Sequence, residues 1–221
     1  MSFARGATKT CMRRCIAVAT FFRDCRGIAA VEFAMIVPLM LVLLFATVEF
    51  ASGLAIDRKV SLVARTIANL TSQGATASVA DLTNYIGAAN LIMVPYVQPT
   101  YPAPNMTISE LYINPTTGNA YVQWSWGSAP RGLQSQFTAL PPSMIATDPT
   151  THAILQNQYI IVSEVNTLYT PTFGFFGVMG NSGISLSDIA YALPRQSTCV
   201  FYPSVPAIVP PATAPACPTG P

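Results

Sequence analysis

Hydrophobic positions change their spacing along this chain, and each change predicts a different element. From Ile28 to Ile56 there are 29 residues whose only charges are Glu32 and Glu49. As a helix this run would be about 44 Å long, against the roughly 30 Å of a bilayer's hydrocarbon core. A transmembrane helix is therefore predicted over roughly residues 30–51. Pro38 removes one backbone hydrogen bond within it, and a local bend is expected there. Beyond the run, Val60, Val63, Ile67 and Leu70 step by three, four and three residues, which is the stripe of an amphipathic helix. Arg58, Lys59, Arg65, Asn69 and Ser72 fill other positions, and Gly74 is a stop signal. One helix is expected from about residue 29 to about residue 73. Its outer half is expected to pack on the domain that follows, whose sheet needs a helix to cover it, although packing against a partner helix would produce the same stripe.

The period then shortens. Ser78 can cap a short helix, with Asp81 three residues later and an apolar face of Leu82, Tyr85 and Ile86. Four prolines in residues 95–104 impose irregular chain. A hairpin follows: one strand through Met106, Ile108 and Leu111 to Ile113, a turn over 114–119, and a return strand carrying Tyr121, Val122, Trp124 and Trp126. Residues 127–151 read as a polar, Pro-rich loop. Residues 159–169 are rich in β-branched and aromatic side chains and predict a strand closed by Thr170 and Pro171. The glycine-rich apolar stretch 173–180 reads as an exposed patch, as the lining of a contact between subunits, or as a loop folded onto the sheet. Residues 184–193 predict a further helix or strand. The last 20 residues contain seven prolines and are expected to be extended.

The predicted class is α+β: a long N-terminal transmembrane helix continuing into a small exported domain with an antiparallel sheet. The expected divisions are a basic leader (1–27), the helix and its extension (28–73), an exported domain (74–198) and a Pro-rich tail (199–221).

Composition supports this division. The chain has 221 residues, of which 51% are hydrophobic and only 9% are charged, which is not the balance of a cytosolic enzyme. Six of the eleven basic residues precede Gly27, against one acid, Asp24. That asymmetry places the N-terminus in the cytoplasm and the large C-terminal part outside. A cleaved secretory signal would have a shorter apolar region ending at a small-x-small site, so a retained anchor is preferred. The basic leader has no aromatic interleaving beyond Phe21 and Phe22, and no nucleic-acid partner is expected.

Chemistry narrows the field further. Cys11, Cys15 and Cys25 fall in the cytoplasmic leader, where thiols stay reduced. Cys199 and Cys217 are the two cysteines of the exported part, and a disulfide between them is predicted, worth roughly 3 kcal/mol by loop closure. No metal site, cofactor or catalytic residue is expected. The single histidine, His152, rules out a multi-histidine site, and no serine stands in a nucleophile-elbow context. No phosphate-cradling glycine loop is present.

One residue does call for explanation. Glu32 sits four residues inside the apolar run, where a carboxylate costs roughly 2.5–3.5 kcal/mol near the bilayer centre and less towards its edge. Gly27 followed by Ile28, Ala29, Ala30, Val31 and Glu32 resembles the processing site of type IV prepilins and pseudopilins. In that family a membrane aspartyl peptidase cuts after the glycine. The glutamate at the fifth position of the mature chain then pairs with the N-terminal amine of a neighbour. A buried carboxylate is tolerable with such a partner, and a residue without a side chain admits a protease to the backbone. The block from Gly27 to Leu39, with Val-Glu-Phe-Ala at 31–34, Pro38, and Val48-Glu49-Phe50 beyond, is similar to the N-terminal segment of TadE-like proteins, pseudopilins of the tight-adherence (Tad/Flp) pilus.

The resemblance implies an inner-membrane minor pseudopilin or assembly factor, trimmed between Gly27 and Ile28, with Glu32 and Phe33 serving subunit docking and peptidase recognition. Its implied partners are membrane lipid, the prepilin peptidase, and other pilins or components of the pilus machine. Glu49 is read as wetted by lipid headgroups. The alternative is a plain signal anchor tethering an exported binding or adhesion module.

Overall fold

The 29-residue apolar run and the amphipathic stripe behind it form one helix, α1 (Ile28–Ser72), 45 residues long and uninterrupted at Pro38. The computed structural model describes residues 27–96, 103–171 and 183–202. The chain divides into two units, the first ending at Glu49 and the second beginning at Phe50. In the first, almost every large side chain of α1 is exposed, from Val42 at 37% to Met35 at 75%. Apolar surface presented on all sides is what a helix surrounded by lipid needs.

In the second unit the same helix changes character. Val60, Val63 and Ile67 are fully buried, joined by Ile56, Ala64 and Ala68. The predicted stripe therefore lies in the domain's own core. After the turn, α2 (Val79–Met93) starts from a capping box: the Ser78 side chain accepts from the Asp81 amide, and the Asp81 carboxylate accepts from the Ser78 amide. These bonds hold the Asp81 carboxyl below the usual carboxylate range, the side-chain bond from Ser78 contributing most. Leu82, Ala89 and Met93 turn inward. Lys59 reaches across from α1 to the carbonyls of Ile92 and Val94, satisfying acceptors at the end of α2.

The sheet comprises β1 (Asn105–Ile113), β2 (Ala120–Gly127), β3 (Gln136–Phe137), β4 (Gln158–Tyr169) and β5 (Ile184–Ala192), in the order β3-β2-β1-β4-β5. Every pairing is antiparallel. The β1–β2 turn forms where the sequence predicts it. Asn114 Oδ1 accepts from the amides of Thr116 and Thr117, and Gly118 takes a φ of +74°, which suits a residue without a side chain. A bulge at Glu110–Leu111 shifts the β1–β2 register. Residues 184–193, open between helix and strand in the sequence, provide β5.

Both faces of the sheet are covered. Met106 and Ile108 of β1, Trp124 of β2, and Ile161 and Val165 of β4 face the helices and share their core. On the opposite face, Leu111, Ile113, Val122, Phe137, Ile160 and Val162 form a second core. That core is capped by Leu140, Met144, Ile145 and Ile154 from the segment between β2 and β4. The expectation of a simple polar loop over 127–151 is thus too plain, since this stretch contains β3, a short 3-10 helix (Pro142–Met144) and several core side chains. Arg131 fastens it to β4 through a two-pronged ion pair with Glu164. The apolar stretch 173–180 lies outside the described residues.

The packed chain continues through Tyr202. Arg195 donates its amide to the Ser72 carbonyl, and Phe201 exchanges backbone bonds with Ala75 and Ala77 in the α1–α2 turn. Cys199, Val200 and Tyr202 are buried. The start of the segment expected to be a loose tail is therefore part of the core.

Candidate functional site

Two places in the chain hold unusual polar chemistry, one foreseen and one not. The foreseen one is the start of α1. Gly27 is exposed, and a Cβ built on it would meet nothing within 4 Å, so the backbone here is open to approach. Ile28 opens the helix at 54% exposure. Glu32 and Phe33 follow one turn later, both exposed, Phe33 at 69%. Glu32 stands four residues after Ile28 and so lies on the same side of the helix, about 6 Å along the axis. Among the described residues nothing pairs with the Glu32 carboxylate. Glu49, expected to be wetted by headgroups, is instead buried, with 9% exposure.

The unforeseen place is Glu110, in the middle of β1. It is 1% exposed, on the helix-facing side with Met106 and Ile108. Its Oε2 accepts from the indole N–H of Trp124 at 2.9 Å, and its Oε1 accepts from the Val200 amide at 2.5 Å. The same indole also lies 2.8 Å from the Val200 carbonyl, and the Trp124 and Tyr202 rings stack at 5.3 Å. Burial pushes the Glu110 carboxyl up to about 8, against the opposing pull of the Val200 and Trp124 bonds. The arrangement clamps the segment after β5 onto the sheet. Nearby, Cys199 is disulfide-bonded and packs with Tyr112 and Tyr159. Its partner lies outside the described residues, as does Cys217.

The predicted site residues fall in both units of the chain. Gly27, Ile28, Glu32 and Phe33 belong to the first unit, and Cys199 to the second. Among the described residues no group of three or more His, Cys, Asp or Glu gathers as metal ligands would. His152 sits in the covering segment at a positive φ of 55°, exposed.

A comparison with family models matches residues 27–69 to the family described as TadE-like protein. That segment is TadE-like. The match begins at the open glycine and ends three residues before α1 does, so it covers the anchor and its amphipathic extension. It points to a Tad-pilus-associated protein with a membrane-anchor helix, and α1 is long and apolar enough to cross a membrane once. No curated protein and no solved structure matches the chain. The sheet and α2 lie beyond the TadE-like segment.

Proposed function

We propose that the protein is a minor pseudopilin or assembly factor of a Tad-type pilus. It is held in the bacterial inner membrane by α1, with the leader in the cytoplasm and the sheet domain outside. A prepilin peptidase removes the leader after Gly27. The new amine of Ile28 then meets the Glu32 carboxylate of a neighbouring pilin or pseudopilin. The observation that carries this reading is that the TadE-like match starts at Gly27, where α1 begins and where the glycine stands open. That nothing among the described residues pairs with the Glu32 carboxylate supports it further, because a carboxylate in an apolar run is tolerable only with a partner. A disulfide between Cys199 and Cys217, closing the start of the Pro-rich tail onto the domain, belongs to the same proposal and suits an exported domain.

Cleavage is tested directly by producing the protein together with its prepilin peptidase and sequencing the mature N-terminus. The expected product begins at Ile28, and Gly27→Ala abolishes it. An intact leader beside active peptidase would leave only a tethered module. The docking role is tested separately. Glu32→Leu is expected to insert normally, since it removes a cost of insertion, and to reduce surface pili to a small fraction of the parent. Normal piliation in that variant would overturn the docking role.

A further inference from the structure

Residues 193–202 run from the end of β5 to the α1–α2 turn, and few bonds hold them there. Among the described residues their only strand-like pairing is the isolated bridge between Phe201 and Thr76. The Arg195 amide donates to Ser72 at the end of α1, and Phe201 is bonded to Ala75 and Ala77 in the turn. Further ties meet at Val200, which is fully buried. Its amide donates to the Glu110 carboxyl, and its carbonyl accepts from the Trp124 indole. On one side of it Cys199 packs with Tyr112 and Tyr159, and beyond it Tyr202 stacks on Trp124. A buried acid thus lies beneath a segment that no ladder secures.

We propose that residues 193–202 are a latch, which lifts and closes while the sheet stays folded and binds one proton at Glu110 each time it closes. The closed state requires that proton. Val200 and Trp124 offer the carboxyl two neutral N–H groups, and among the described residues no charged side chain of α1, α2 or the latch acts on it. Its titratable neighbours are Tyr112 on its own strand and Tyr159 on β4, and burial raises Tyr159 to about 12. Cys199 is disulfide-bonded and does not titrate. An anion sealed from water by neutral groups is costly, so the acid is covered in its neutral form. Once the latch lifts, the carboxyl is wetted and ionises as an ordinary glutamate does. Closing therefore takes a proton from solvent, and opening returns it. The ratio of closed to open chain falls about tenfold for each pH unit from 4.5 to about 8, the values for the wetted and the covered acid. Lifting breaks only the ties named above and leaves the strand pairings of the sheet in place, as local opening requires. It uncovers Trp124, which is 4% exposed when the latch is closed, and frees the turn between the helices.

The test is amide hydrogen exchange of the full-length protein in detergent micelles, with each rate corrected for the intrinsic effect of pH. The reporters are the amides of Val200 and Phe201 in the latch, and those of Ile160 to Val162 in the middle of the sheet. The latch amides are expected to exchange ahead of the β4 amides. Their protection is expected to fall about a hundredfold between pH 5.5 and pH 8, and by less than about threefold in Glu110→Gln. If the latch and β4 amides exchange together at both pH values, the segment opens only with the whole domain and there is no latch. If the latch amides exchange first but with level protection across the window, or if Glu110→Gln keeps the fall, closing binds no proton at Glu110 and the proposal is overturned. The parent's own profile decides the matter where Glu110→Gln is not recovered as a folded chain.

Discussion

Raising the pH from about 5 to about 8 is expected to weaken the sheet domain by up to about 4 kcal/mol, with Glu110 as the cause. An ordinary glutamate loses its proton near 4.5, whereas burial raises this one to about 8. Between those values the folded chain holds a proton that the unfolded chain has released, so stability falls as pH rises. The contribution is fully present below 4.5 and lost as pH passes through 8. The other shifted groups lie outside this window: Asp81 and Asp148 are held low by hydrogen bonds from Ser78 and from Thr151 and Thr150, and burial raises Tyr159 to about 12. Glu110→Gln is expected to flatten the profile, because an amide does not titrate. It also places an NH2 group against one of two N–H donors, at a cost of roughly 1–3 kcal/mol even at low pH. Urea unfolding of the detergent-solubilised protein, followed by tryptophan fluorescence, measures both effects. Stability that is level or rising across the window, or an undiminished slope in Glu110→Gln, would show that the clamp carries no proton.

Glu110 also marks the limit of what local pattern can reveal. Alternation along β1 already places it on the face of Met106 and Ile108, so the sequence contained a signal of burial. What it lacked was the donors: Trp124 is 14 residues away and Val200 is 90 residues away. A glutamate in a strand reads as solvent-facing until a distant segment is known to fold over it. The same reasoning separates the other elements. The Ser78–Asp81 cap and the Asn114–Gly118 turn are legible because their bonds close within a few residues. The cover of the second core was not legible, because Leu140, Met144, Ile145 and Ile154 stand singly among prolines and polar residues, with no period to announce them. Cys199 to Tyr202 were masked by the prolines that follow them. At the start of α1 the relation of Gly27, Ile28 and Glu32 could be read from spacing alone, since one helical turn fixes it. The pairing proposed for them lies in another molecule, beyond the reach of spacing within one chain.

Ile67→Ala is expected to destabilise the sheet domain by roughly 2–5 kcal/mol, and Leu62→Ala, on the same helix, by less than about 0.5 kcal/mol. Ile67 is fully buried in the core that α1 shares with the sheet, whereas Leu62 is 52% exposed. The contrast decides between the two meanings of the stripe Val60, Val63, Ile67 and Leu70. Were it a seam for a partner helix, the isolated protein would hardly notice either change, and the loss would appear only on assembly. Because it is the domain's own core, the cost appears in a single chain in micelles, as a lower urea midpoint for Ile67→Ala with an unchanged slope. Membrane insertion should be untouched, because Ile67 lies eleven residues beyond the end of the apolar run at Ile56. The helix thus has two separable uses: its first half meets lipid, and its second half is the element on which the sheet is built.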